Sequence, residues 1–94
     1  MIKLLYSSNF SKNLKKLNKN LFDELQLNLK KIINEPNIGS LKKGDLSNLR
    51  VLKFKFNNLQ YLICYEVIDD ENIKVIYFGV HENFYQNLKN YLKN

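Results

Sequence analysis

A change of hydrophobic period at Pro36 constrains the fold of this chain more than any other feature. Before it, Phe10, Leu14 and Leu17, then Leu21, Phe22, Leu25, Leu29, Ile32 and Ile33, recur at the three- and four-residue spacings of a helical face. After it, Arg50, Leu52, Phe54 and Phe56 alternate with Val51, Lys53 and Lys55, which is the period of a strand. Pro36 disfavours helix at Glu35 and so marks the boundary itself.

The remaining elements follow from the same two periods. Ile2, Leu4 and Tyr6 alternate with Lys3 and Leu5 and predict a short opening strand with one buried face. Ser8 is placed to cap the first helix, and the polar run Asn18-Lys19-Asn20 separates it from the second. Two helices joined by so tight a break form a hairpin. Residues 37–47 are rich in turn formers and read as loop. Asn57-Asn58 suits a two-residue hairpin turn, because Asn tolerates positive φ. Gln60 to Ile68 is apolar on both faces, as a central strand should be. Asp69 to Asn72 turns the chain, Ile73 to Val80 forms the last strand, and Glu82 to Leu92 a closing helix with Phe84, Leu88, Tyr91 and Leu92 inward. The order β-α-α-β-β-β-α predicts an α+β fold: a mainly antiparallel four-stranded sheet packed by an N-terminal helical hairpin, with a C-terminal helix.

Ninety-four residues are enough for one core, so residues 1–94 are expected to form a single domain. With 45% hydrophobic and 13% aromatic residues, the chain can bury enough area to offset its entropy, which excludes disorder. No apolar stretch approaches the roughly 20 residues of a membrane-spanning helix. Met1–Phe10 lacks the apolar run of a secretory signal. A lone Cys64 precludes an internal disulfide and a cysteine-built zinc site. A reduced, cytoplasmic setting is the expectation, with no cofactor and no bound metal.

The formal net charge is +6, and its placement is uneven. Residues 1–47 hold nine Lys against four acids, residues 48–94 six basic residues against five acids. Such a field favours polyanions, either nucleic acid or an acidic protein segment. Fifteen Asn and a basic set made almost wholly of Lys also fit an AT-rich coding bias. Lys53 and Lys55 share one strand face, and Lys42 and Lys43 enter from the preceding loop; they form either a wet outer face or a phosphate-binding surface. Arg50 is in phase with the core side, where a carboxylate such as Asp45 or Glu66 would partner it in a structural role. His81 and Tyr85 stand four residues apart, a spacing that would put an imidazole and a phenol on one helical face. Cleavage of RNA by its own 2′-hydroxyl needs such groups: a base, an acid, and cations for the phosphorane charge. A His before a helix is equally often a cap or a surface residue.

Three segments resemble the RelE/ParE superfamily of toxins from bacterial type II toxin–antitoxin systems. They are Leu41 to Val51 leading into a strand, Gln60-Tyr61-Leu62-Ile63-Cys64-Tyr65-Glu66-Val67, and Gly79-Val80-His81-Glu82-Asn83-Phe84-Tyr85. The likeness spans nearly the whole chain. It implies either of two activities: RelE-like members cut mRNA in the ribosomal A site, and ParE-like members poison DNA gyrase. In the first branch, second-strand Lys residues bind phosphate, as Lys53 and Lys55 would here. His81 with Tyr85 is similar to the His and aromatic of its YafQ-type ribonucleases. That branch also carries an Arg in the third strand where this chain has Leu62. The resemblance implies a RelE-like, metal-independent mRNA endonuclease in which His81, Tyr85, Lys53 and Lys55 act on RNA and Lys42 and Lys43 help hold it. A ParE-like gyrase inhibitor or an inactive homologue that only binds its antitoxin is the alternative. The partners implied are an antitoxin with an acidic, partly disordered segment, the ribosome with its mRNA, and operator DNA reached through the antitoxin.

Overall fold

In the computed structural model, residues 2–42, 44 and 48–93 are described. The chain runs β1 (Lys3–Tyr6), α1 (Ser8–Leu14), α2 (Lys19–Asn34), β2 (Ser40–Leu41), β3 (Arg50–Phe56), β4 (Leu59–Val67), β5 (Asn72–Val80) and α3 (Phe84–Lys93). The class is the α+β arrangement expected from the periods, but the sheet has five strands and not four, in the order β1-β5-β4-β3-β2. The additional strand is Ser40–Leu41, which pairs with Val51 and Arg50 inside the stretch read as loop. Two residues are too few to display any period. The opening strand joins the far edge parallel to β5, and the other pairings are antiparallel.

Both faces of the sheet are covered. On one, Phe10 of α1 and Leu21, Leu25, Leu29 and Ile32 of α2 meet Phe54, Ile63, Tyr65, Ile73, Val75 and Phe78. On the other, Phe84 and Leu88 of α3 meet Leu49, Val51, Leu62, Cys64 and Ile76. Each such side chain contributes roughly 1.5–3 kcal/mol by leaving water. Lys53 and Lys55 share that second face with Val51 but extend beyond the helix, where they are exposed.

Local chemistry explains the element boundaries. Ser7, and not Ser8, caps α1: its hydroxyl accepts from Phe10 N at 3.1 Å and donates to Ile76 O at 2.6 Å. Asn18 caps α2 by accepting from Leu21 N at 2.8 Å. Asn57 and Asn58 both take positive φ, 51° and 65°, in the hairpin between β3 and β4. A bulge lies opposite Cys64 and Tyr65, where Tyr77 and Val75 are the partners and Ile76 is the additional residue. The bulge places Ile76 and Tyr77 together on the α3 side of the sheet. Tyr6, expected on a buried face, is 42% exposed at the end of its edge strand, with its ring 5.2 Å from that of Phe10.

Candidate RNA-binding face and its neighbours

The fold gathers Lys42, Lys53, Lys55, His81 and Tyr85 at one side and one end of the sheet. Lys53 stands opposite Leu62 and Lys55 opposite Gln60. In an antiparallel pair such partners share a face, so Lys53, Leu62, Lys55 and Gln60 lie on the α3 side. Both lysines are exposed. Leu62 is fully buried within the cluster that Phe84 and Leu88 close. The position where the nuclease branch carries Arg is therefore filled by packing against α3.

Lys42 and Tyr85 meet. The ammonium of Lys42 lies over the Tyr85 ring, 5.2 Å from its centroid, while Phe84 meets the same ring edge-on at 5.3 Å. A cation held on an aromatic face contributes about 0.5–1 kcal/mol at an exposed site. Lys42 is held there by its backbone, since its N–H donates to Leu49 O at 2.9 Å and so extends the β2–β3 pairing. Lys43 and Asp45 lie outside the described residues.

His81 and Tyr85 do not share a helical face. The helix begins at Phe84, and Asn83 takes a φ of 60°, so a left-handed residue separates the imidazole from the phenol. Four-residue spacing has meaning only inside a continuous helix, and the Glu82 start expected for this one is two residues early. His81 is exposed and fixed through its backbone: its N–H donates to Gln60 O at 2.7 Å and its carbonyl accepts from Phe84 N at 3.1 Å. It thus sits at the end of β5 beside the strand residue that faces Lys55.

Arg50 donates to Gly39 O at 2.8 Å and to Asn37 O at 3.3 Å, binding the segment after α2 through its carbonyls, and among the described residues it forms no ion pair with Glu66. The Tyr65 hydroxyl completes the same clamp, donating to Pro36 O at 2.7 Å and accepting from Gly39 N at 2.8 Å. Gly39 is needed here, because a Cβ would come within 2.8 Å of the Tyr65 oxygen. Glu66 is half-buried and stands opposite Lys74 in the β4–β5 register. Cys64 has no nucleophilic character, since burial, with a smaller contribution from the Glu66 charge, pushes its thiol up to about 12.

Sequence reasoning did not single out Tyr65, or Asn58 and Gln60 as more than turn and strand residues. Nothing in their spacing announces a role. Among the described residues, no three His, Cys, Asp or Glu side chains gather as a metal cluster, and no helix is long and apolar enough to cross a membrane.

The family profile described as "ParE-like toxin of type II bacterial toxin-antitoxin system" matches residues 4–89. The chain belongs to this toxin family. The toxin's fold is shared with solved structures of E. coli RelE. Mutant RelE in the free state superposes with a TM-score of 0.73 at 20% identity, covering 95% of this chain and 90% of that one. RelE in the intact RelBE toxin–antitoxin complex gives 0.70 at 22% identity, covering 84% and 95%. Mutant RelE with an antitoxin RelBc peptide gives 0.67 at 20% identity, covering 92% and 93%. No curated protein sequence matches the toxin.

Proposed function

We propose that the toxin is a RelE-like, ribosome-dependent mRNA endonuclease that acts in the cytoplasm and is held in check by a cognate antitoxin. The observation that carries this reading is the joint placement of Lys53, Lys55 and the Lys42–Tyr85 pair on the α3 side of the sheet, with His81 at the strand end next to Gln60. The likeness to RelE structures supports it at the level of the fold.

The chemistry needs no group beyond the protein and its RNA. The 2′-hydroxyl attacks the adjacent phosphorus, and the 5′-oxygen leaves. Lys53 and Lys55 would hold the phosphate and offset the charge that grows on its oxygens. His81 would serve as the general acid or base. Tyr85, fixed beneath Lys42, would stack on or orient a base. Purified toxin added to translating ribosomes should cut mRNA at A-site codons. A His81→Ala variant that cuts at the wild-type rate would remove the imidazole from the mechanism.

Leu62 favours a second reading, ParE-like inhibition of DNA gyrase. A fixed guanidinium fork holds a phosphorane better than mobile ammonium groups, and here a buried Leu occupies that place. This reading predicts blocked supercoiling and DNA damage with mRNA left intact. Either activity calls for an antitoxin, and E. coli RelE was solved with RelB and with a RelBc peptide. The net charge of +6 suits an acidic segment that folds on binding.

A further inference from the structure

Strand β2 consists of Ser40 and Leu41 alone, yet the aim of Lys42 depends on it. Ser40 stands opposite Val51 and Leu41 opposite Arg50, and the pairing continues as Lys42 N–H donates to Leu49 O at 2.9 Å. Val51 and Leu49 belong to the α3 side of the sheet, so alternation sends Lys42 to that side, where its ammonium meets the Tyr85 ring. A slip of one residue in β2 would turn Lys42 to the opposite face. So short an edge strand cannot hold its own register, because its two residues offer few ladder bonds and both are exposed.

The register is held from the other side of the sheet. Arg50 and Tyr65 are cross-strand partners, and Tyr65 lies in the cluster beneath α1 and α2. Four hydrogen bonds join these two side chains to the segment that leads into β2. Gly39, the residue before Ser40, has both backbone groups engaged: its N–H donates to the Tyr65 hydroxyl and its carbonyl accepts from Arg50. The Pro36 and Asn37 carbonyls accept the other two bonds, one from each side chain. With Gly39 buried and fixed at both polar groups, the residue that follows it is set opposite Val51.

We propose that Arg50 and Tyr65 are positioning residues for the RNA face: acting across the sheet, they fix the register of β2 and so hold the Lys42 ammonium over Tyr85, where it can meet a phosphate. This role rests on the reading of the α3 side as an RNA surface for its use, and on the register of β2 for its content. An ammonium has three donors, and a ring face leaves some of them free for phosphate oxygens. Neither Arg50 nor Tyr65 touches RNA in this arrangement, since both are spent on the backbone of residues 36–39.

Hydrogen exchange and binding test the two halves separately. On the full-length, ¹⁵N-labelled toxin, the Lys42 amide should exchange with deuterium about tenfold faster in Tyr65→Phe and in Arg50→Met, as β2 opens more often. Tyr65→Phe changes no charge, so its effect on RNA cannot come from the net field. Affinity for a short single-stranded RNA should fall about fivefold in Tyr65→Phe and in Lys42→Ala, and no further in the double variant. Ser7→Ala, a destabilised variant beside the opposite edge strand, should leave both readouts unchanged. Wild-type exchange at Lys42 in both clamp variants, losses that multiply in the double variant, or an equal loss of RNA affinity in Ser7→Ala would overturn the positioning role. Faster exchange and a shared loss of binding in a toxin that leaves mRNA intact would keep the role and sink the nuclease reading. Cleavage by a toxin whose Lys42 amide ignores both substitutions would do the reverse.

Discussion

Tyr65 shows how much one hydroxyl can do in a small fold. It is fully buried, and its oxygen serves both the Pro36 carbonyl and the Gly39 amide. Tyr65→Phe leaves the ring in place and strips both backbone groups of their partner. The cost should be about 1–3 kcal/mol, read as a lower urea midpoint with an unchanged m-value. Cys64 one residue earlier reports on pH. Burial pushes its thiol from 9.0 to about 12 and also raises the Tyr65 and Tyr77 phenols. A raised value means that the unfolded chain loses its proton first. Stability is therefore complete below pH 9 and falls as the pH rises toward 12, by roughly 1.4 kcal/mol per pH unit for the thiol. Cys64→Ala should flatten that fall without abolishing it, since the two phenols remain. A denaturation series from pH 7 to 11 on both proteins measures the difference.

Two caps of the same kind differ in what they join. Asn18 is exposed and binds only within its own helix, whereas Ser7 is buried and links the start of α1 to the bulged residue Ile76. Asn18→Ala should cost about 1 kcal/mol, the usual loss of a cap. Ser7→Ala should cost up to about 3 kcal/mol, because it also removes the buried bond to the Ile76 carbonyl. Thermal unfolding of the two variants side by side tests the order, and an equal loss would show that the strand contact carries no weight. The same contrast explains what the sequence made legible. Helix α2 and strands β3 to β5 are long enough to display a period, and their positions follow from it. Ser7 and Ser8 both fit a cap, and only the bond to Ile76 sets them apart. Ser40–Leu41 forms a strand because Arg50 and Val51 offer an edge, a relation between distant residues that no local pattern records. The His81–Tyr85 spacing suggests one helical face because Asn83 tolerates a left-handed φ without requiring it, so the break before α3 has no local signal as strong as a Gly or Pro. The lysine row on β3 was visible because it depends on strand parity alone.

At the scale of the whole molecule, the charge divides into two surfaces. Lys12, Lys15, Lys16, Lys19, Lys30 and Lys31, most of the excess in the first half, lie exposed on or beside the α1–α2 layer. Lys42, Lys53 and Lys55 serve the opposite face of the sheet. A net charge of +6 therefore overstates what the proposed RNA face commands. Salt dependence separates the two surfaces, since each phosphate neutralised on a single strand adds about 0.7 to the slope of log affinity against log salt. With a short single-stranded RNA, the double variant Lys53→Ala/Lys55→Ala should lower the slope by about 1.4 and weaken binding across sequences. The double variant Lys15→Ala/Lys16→Ala, which removes the same charge from the helical side, should change the slope by much less, because attraction beyond a Debye length of about 8 Å is largely screened at physiological salt. Fluorescence anisotropy between 50 and 300 mM salt reads both. Equal slopes for the two variants would mean that RNA meets the charge of the whole molecule and not a face of the sheet, and the assignment of Lys53 and Lys55 as phosphate ligands would fall with it.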